Sequence, residues 1–223
     1  QRPDISAEVA MLLYADGQTE EALDVLLGSE LDAHAQGHEA WDLAYVTCLT
    51  ASGRIQDAQI HRWDCFTATL NRTHLSAHLK LLPDFEDVEA EDLAKQHVLA
   101  FPDVSAALDF CLNWPDLLTA SQLISSRADE INGDHRPLLV QAAEALRLRY
   151  PLAAVVLWRA MIDQTLEQGR SFQYGDAADN LADCAALDTA ITDYAGVPSH
   201  DSYLQTLQTR HGRKPSFWSK VHT

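Results

Sequence analysis

The stretch LRLRYPLAAVVLWRAMIDQTLEQGRSFQYGDAADNLADCAA, residues 146–186, is the most apolar and most regular part of the chain. It predicts two helices joined by a short polar turn. Pro151 suits the first turn of a helix, because an N–H at that position would have no helical partner. Gly169 is expected to end the first helix, since glycine readily adopts the left-handed conformation that ends helices. The second helix is expected over residues 174–191, with its alanines facing inward and its aspartates outward.

The same helical period continues outward from this stretch over nearly the whole chain. No segment shows a convincing alternation of apolar and polar residues, so no strand is predicted. The sequence therefore predicts an all-α fold. The other predicted helices span residues 5–15, 19–27, 39–52, 55–70, 74–82, 88–100, 104–113, 117–131, 137–149 and 201–210.

Two similar phrases suggest a repeat: YADGQTEEA at residues 14–22 and TASGRIQDA at residues 50–58. Their glycines, Gly17 and Gly53, lie 36 residues apart, close to the ~34 residues of a tetratricopeptide-type helix pair. We therefore expect stacked antiparallel helix hairpins that form a tetratricopeptide-like, right-handed α-solenoid. The expected single domain (1–223) consists of two such hairpins (1–70), an irregular helical middle (71–149), and a C-terminal hairpin, last helix and basic aromatic tail (150–223).

Composition limits the function classes. The chain has 33 acidic and 16 basic residues and a formal charge of −17, which argues against binding to nucleic acids and to anionic membranes. No apolar run reaches the ~20 residues of a membrane span, and no signal-peptide pattern is visible. The chain begins at Gln1, so a missing upstream domain is left open. A cytoplasmic location is expected, with four widely spaced cysteines as buried free thiols: Cys48, Cys65, Cys111 and Cys184.

Five phrases carry a family resemblance: HRWDCFTATL (61–70), HLSAHLKLLPDFEDVEAED (74–92), HVLAFPDVSAALDF (97–110), the opening stretch extended to residue 187, and HGRKPSFW (211–218). They resemble an uncharacterised domain-of-unknown-function family common in proteobacteria, whose tail half is similar to the C-terminal region of some SWIM zinc-finger proteins. The resemblance covers most of the chain and implies helical repeats with no established activity. Asp176 stands where a histidine is usual, which weakens a shared polar site there. The SWIM metal motif is absent, so the resemblance implies no zinc.

One pattern in the chain is compatible with a metal site. His61 and Cys65 have i, i+4 spacing, as do His74 and His78, and this spacing places each pair on one helix face. Two such helices could hold zinc with three histidines and one cysteine. The alternative is that Cys65 belongs to an apolar face and the histidines pair by chance. Motifs of hydrolases, nucleotide-binding loops and calcium-binding EF-hand loops are absent.

Two further groups of polar residues allow a structural or a functional interpretation. Arg159 and Asp163 have i, i+4 spacing in an otherwise apolar helix, and we expect an ion pair that fixes helix stacking or, alternatively, a polar ligand site. The basic tail either docks on the acidic helix 174–191, with Trp218 as its anchor, or contacts a partner. Its candidate residues are Arg210, His211, Arg213, Lys214, Phe217 and Trp218.

Three functions remain open from the sequence. The first is a non-enzymatic module that binds a protein or peptide in the groove formed by successive first helices, with the acidic composition favouring a basic or neutral peptide. The second is a metal-binding protein or enzyme with its site near His61, Cys65, His74 and His78. The third is the C-terminal part of a larger regulator. The sequence indicates neither a catalytic residue nor a cofactor other than this possible zinc, and it leaves the oligomeric state open.

Overall fold

The computed structural model describes residues 2–29 and 38–221. Over these residues the chain is helical and without strands, which confirms the predicted all-α class. The last two residues of the predicted tail lie outside the described residues. None of the described helices has the length and apolar character to cross a membrane. The helices are α1 (Pro3–Ala15), α2 (Thr19–Leu27), α3 (Glu39–Ala51), α4 (Ile55–Thr69), α5 (Arg72–Leu79), α6 (Glu86–Ala100), α7 (Val104–Asn113), α8 (Leu117–Ser126), α9 (Arg136–Leu146), α10 (Pro151–Glu167), α11 (Tyr174–Asp188), α12 (His200–His211) and α13 (Pro215–Trp218).

Every predicted helix corresponds to an observed one, and the differences lie at helix ends. The helix predicted over 117–131 stops at Ser126, and residues Ala128–Glu130 form a 3₁₀ turn. The hydroxyl groups of Ser125 and Ser126 donate to carbonyls one turn earlier, a local bond that competes with helix continuation. The four-residue helix α13 was not predicted, because so short a segment shows no periodicity.

The turns at Gly17 and Gly53 have the same conformation. Both glycines have a positive φ, +81° and +79°, which a residue with a Cβ adopts only with strain. In each turn the N–H after the glycine donates to the carbonyl five residues earlier, over 2.9 Å. The repeated phrase in the sequence therefore corresponds to a repeated turn between two helices.

The chain divides into two compact units, Gln1–Val98 and Leu99–Thr223. In the first unit, α1 packs on α2 and α3, α3 packs on α4, and α4 packs on α5. Trp41 belongs to its core and donates its indole N–H to Ser29 Oγ at 2.8 Å. A buried indole N–H needs such an acceptor, so this bond offsets the cost of burying it. Other buried side chains of this core are Leu23, Leu26, Cys48 and Leu49.

The second unit is built around α10, the first helix of the opening stretch. Eleven of its residues are buried, and it packs against α8, α9 and α11. The run Ala153–Trp158 is buried at every position, as expected of a helix that is apolar nearly all round. A helix that is apolar on nearly every side is stable only when neighbouring helices cover those sides.

Candidate functional site

A cleft of about 370 Å³ opens in the first unit. Its walls come mainly from α3 and α5, with one residue each from α1 and α4. Clefts of this size are typical of ligand sites, which combine apolar walls with a few polar groups. The lining residues are Tyr14, Glu39, Leu43, Val46, Thr47, Thr50, Ala51, Arg62, Thr73, His74 and Ala77.

Arg62 is the buried cation of this cleft. Its side chain contributes to the lining although the residue is only 8% exposed. Its Nη1 donates to Gln59 Oε1 at 2.9 Å, and the Gln59 amide is oriented by its own bond to the carbonyl of His78. Among the described residues, Arg62 has no carboxylate partner. Burial lowers the pKa of Arg62, yet an arginine stays protonated, so the cleft contains a positive charge that forms no ion pair with a described residue.

Next to the cleft, four side chains from α3, α4 and α5 converge. His61 Nε2 lies 2.9 Å from Asp42 Oδ1 and 3.3 Å from Cys65 Sγ. The ligand atoms of Asp42, Cys65 and His74 all lie within 4.8 Å of one another. His74 is buried in the first turn of α5, which Asn71 caps. Two of the four residues predicted for a metal site, Cys65 and His74, therefore form one group with Asp42. A third, His61, contacts Asp42 and Cys65.

His78, the fourth predicted ligand, points elsewhere, which corrects that prediction. Its Nδ1 lies 3.2 Å from the carbonyl oxygen of Gln59, and its ring packs on Trp63. The i, i+4 spacing places His74 and His78 on one side of α5. They lie about one helical turn apart along that side, however, and therefore contact different neighbours.

The protonation preferences of this cluster follow from burial and from the Asp42 charge. Burial by itself would raise the pKa of Asp42, but hydrogen bonds with His61 and Cys65 lower it on balance. Burial lowers the pKa of His74, so its neutral form is favoured. Burial, and then the charge of Asp42, raise the pKa of Cys65 to about 12. The thiol is therefore protonated in this state.

This arrangement is not that of a Cys-His-Asp nucleophile. In such a triad the nucleophile and the carboxylate occupy opposite ring nitrogens of the histidine. Here Asp42 and Cys65 both lie against Nε2 of His61. A protonated thiol is also a poor nucleophile. The carboxylate, imidazole and thiol groups of this cluster are instead side chains of the kind that bind metal ions.

Arg159 and Asp163 lie in the second unit and do not form the expected ion pair. Arg159 is 5% exposed, donates to the carbonyl of Pro198 at 2.6 Å and lies over the ring of Tyr203, 4.4 Å from its centroid. Asp163 accepts a hydrogen bond of 2.9 Å from the Tyr203 hydroxyl. Tyr203 on α12 thus separates the charges, because a neighbouring helix supplies better partners than the i, i+4 contact. The polar group remains inside the core and links α10 to α12.

The tail contacts α11 through a different residue from the one expected. Phe217 is fully buried and packs edge-on against Tyr174, with ring centroids 5.8 Å apart. Lys214 donates to the hydroxyl of Tyr174 at 3.3 Å. Trp218 is half-buried and donates to the carbonyl of His211 within the tail itself. The anchor is therefore Phe217, since the short helix α13 turns Phe217 inward and Trp218 back along the chain.

The basic side chains of the tail do not pair with the aspartates of α11. Arg210 lies 3.4 Å from Glu167 on α10, and Arg213 is exposed. Burial lowers the pKa of His211. Because the contact with α11 is aromatic, the predicted charge complementarity is not what holds the tail.

Comparison with known proteins identifies a family. A model described as a family of unknown function (DUF6880) matches residues 1–220. The chain belongs to this family. No curated protein and no solved structure matches the chain. In this DUF6880 chain, the match includes both compact units and therefore the cleft, the four-residue cluster and the docked tail.

Asp42 and Arg62 are the residues that sequence reasoning missed, and one of them had a usable signal. Asp42 lies eleven residues before Gly53 and Asp64 lies eleven after it. In an antiparallel hairpin turning at Gly53, Asp42 is therefore level with the His61–Cys65 turn. Arg62 had no such signal, because nothing in its spacing shows that it faces a cleft.

Proposed function

We propose that the N-terminal unit of this DUF6880 chain is a non-enzymatic interaction module that binds an acidic peptide segment in its cleft. The observation that carries the proposal is Arg62, a buried cation that lines the cleft and whose one hydrogen-bond partner among the described residues is the neutral Gln59 side chain. A buried charge without a counterion is costly. A peptide carboxylate would offset that cost through charge-assisted, bidentate hydrogen bonds.

A tetratricopeptide-like stack is part of this proposal. It is supported by the matching turns at Gly17 and Gly53 and by the order of packing along α1 to α5. In stacks of helix pairs, the first helices form a concave surface that holds peptides. Ten of the eleven lining residues of the cleft come from α1, α3 and α5, the first helices of successive pairs in this proposal, although α1 contributes only Tyr14.

The proposed peptide is acidic, whereas the overall charge favoured a basic or neutral one. Charges on the outer surface are screened over about 8 Å at physiological salt, but Arg62 would touch the ligand directly. Apolar side chains of the peptide would pack on Leu43, Val46 and Ala77, which also line the cleft. The exposed Glu39 at the cleft offers an acceptor for a peptide N–H or cation. Together these groups favour a carboxylate flanked by apolar residues.

The test is a selection of random peptides with blocked termini on the purified chain. We expect enrichment of sequences with one acidic residue beside apolar residues. Replacing Arg62→Met should weaken the selected peptide roughly 10- to 100-fold, as expected for the loss of a charge-assisted hydrogen bond. Replacing the acidic residue of the peptide by its amide should weaken binding by a similar factor.

The two replacements together should weaken binding no more than either alone, because both remove the same contact. Arg54→Met is the matched control: it removes the same charge from an exposed arginine that pairs with Asp57. Equal weakening by Arg54→Met, or selection of peptides without an acidic residue, would overturn the proposal. Melting curves of both variants establish that they are folded.

The resemblance to proteobacterial proteins and to the C-terminal region of SWIM zinc-finger proteins adds a second, broader proposal. In it, this helical chain serves as the recognition part of a larger regulator. Binding of an acidic segment of a partner protein in the same cleft would then bring the regulator to that partner.

A further inference from the structure

A second site adjoins the cleft, sharing His74 with its wall, and does not depend on the peptide proposal. It consists of Asp42 from α3, His61 and Cys65 from α4, and His74 from α5. These side chains offer one carboxylate oxygen, two imidazole nitrogens and one sulfur. Oxygen, nitrogen and sulfur donors from four residues are the usual ligand set of a divalent zinc ion.

Three donor atoms, those of Asp42, Cys65 and His74, are close enough together to bind one ion. Zinc binds nitrogen and oxygen at about 2.0–2.2 Å and sulfur at about 2.3 Å, so ligand atoms at the corners of a tetrahedron lie about 3.3–3.6 Å apart. The observed separations are 2.9 Å between His61 Nε2 and Asp42 Oδ1, and 3.3 Å between His61 Nε2 and Cys65 Sγ. Asp42, Cys65 and His74 are mutually within 4.8 Å. His61 is outside this mutual group but contacts two of its members, so binding as a fourth ligand requires its side chain to turn toward the ion.

The Asp42 carboxylate is the common partner of its neighbours. His61 and Cys65 each form a hydrogen bond with it. When the His61 Nε2 and Cys65 Sγ protons are lost, a carboxylate oxygen, a ring nitrogen and a thiolate sulfur face one another. A cation between these atoms would interact favourably with all of them. The aromatic rings of Trp41 and Tyr45 pack against the His61 ring and hold its orientation.

We propose that Asp42, His61, Cys65 and His74 bind one zinc ion and thereby join α3, α4 and α5. Binding would release the Cys65 thiol proton to solvent, because the thiolate is the ligand. The ion would stabilise the folded chain, since the ligands come from helices that are apart in the unfolded chain. The proposed role is structural, with four protein ligands closing the coordination shell.

The test is metal binding by the full chain after removal of metal with a chelator. Zinc is titrated against a chromophoric chelator, and cobalt(II) is used as a spectroscopic probe. We expect one zinc per chain, a rise in the melting temperature on adding zinc, and a cobalt spectrum with tetrahedral bands and a thiolate-to-cobalt charge-transfer band. Failure of the wild-type chain to bind zinc would overturn the proposal.

Variants assign the ligands. Cys65→Ser should abolish the thiolate-to-cobalt band, and Asp42→Asn and His74→Gln should each weaken zinc binding by more than about tenfold. The matched controls are His78→Gln and Cys48→Ala, which should leave one zinc bound with unchanged affinity. Equal loss in His78→Gln and His74→Gln would contradict the assignment. Cys65→Ser differs by one atom, and circular dichroism of the metal-free form checks that it is folded.

The zinc and peptide proposals fail separately. Arg62→Met removes the proposed peptide anchor and should leave zinc binding intact. Cys65→Ser removes a proposed zinc ligand that does not line the cleft. A zinc site without peptide binding, or peptide binding without zinc, would each leave one proposal standing and overturn the other.

Discussion

Asp163 illustrates how a single half-buried side chain contributes to stability. Its carboxylate lies inside the second unit and accepts from the Tyr203 hydroxyl. Burial raises the pKa of Asp163, with the nearby Glu167 adding to the rise, although the Tyr203 hydrogen bond opposes it. A carboxyl group whose pKa is raised on folding favours the folded state most at low pH. That contribution is lost as the pH rises through the folded-state pKa.

We therefore predict that Asp163→Asn is more stable than the wild type at pH 7. Asparagine keeps an oxygen that can accept from Tyr203 and carries no charge to be buried. The advantage should shrink as the pH falls and disappear where Asp163 is protonated in both the folded and the unfolded chain. Urea unfolding of both proteins at several pH values measures this difference.

The control for this prediction is Asp179→Asn, which removes the same charge from an exposed position on α11. It separates the effect of burial from the effect of lowering a net charge of −17. If the two variants gain equal stability at pH 7, or if the Asp163→Asn gain is independent of pH, burial of Asp163 is not the cause.

At the scale of elements, the turn before α9 fixes the position of α10. Gly133 lies so close to α10 that an added Cβ would sit 2.2 Å from the carbonyl oxygen of Ala160 and 2.7 Å from Gln164 Cβ. The next residue, Asp134, accepts from Gln164 and pairs with Arg170 at 2.6 Å. The close approach of Gly133 and the polar contacts of Asp134 therefore both hold this turn against α10.

Gly133→Ala is predicted to lower the free energy of unfolding by about 1–3 kcal/mol or more, because the turn must withdraw from α10. Gly175→Ala is the matched control. Gly175 is within α11 and an added Cβ there would meet nothing within 4 Å, so alanine should stabilise the helix by about 0.5 kcal/mol. Urea unfolding monitored by circular dichroism compares the two. A neutral effect of Gly133→Ala would show that the turn does not need this close approach.

At the scale of the whole molecule, the excess of acidic residues opposes folding by self-repulsion. Several acidic pairs lie on exposed turns and helix starts, such as Glu20 with Glu21 in α2. We predict that sodium chloride raised from about 0.01 to 0.15 M increases the melting temperature, because the screening length falls from about 30 to 8 Å. The same salt step near the sequence pI of about 4.7 should have little effect. An equal rise at both pH values would point to a salt effect other than charge screening.

The sequence by itself determined the elements of this protein. Apolar periodicity, Pro151 and the left-handed glycines act over a few residues, so the helices and the turns at Gly17 and Gly53 could be located without tertiary contacts. The apolar run from Ala153 to Trp158 likewise required burial on every side.

Only the tertiary structure decided which side chains meet. Helical spacing places His61 beside Cys65, but it cannot show that Asp42 and His74 join them while His78 turns to Gln59. In the same way, Arg159 and Asp163 have ion-pair spacing, yet Tyr203 from a distant helix takes the contact. The physical reason is that local sequence fixes which face of a helix a residue occupies. The partner of that face is set by the packing of helices that are far apart in the chain.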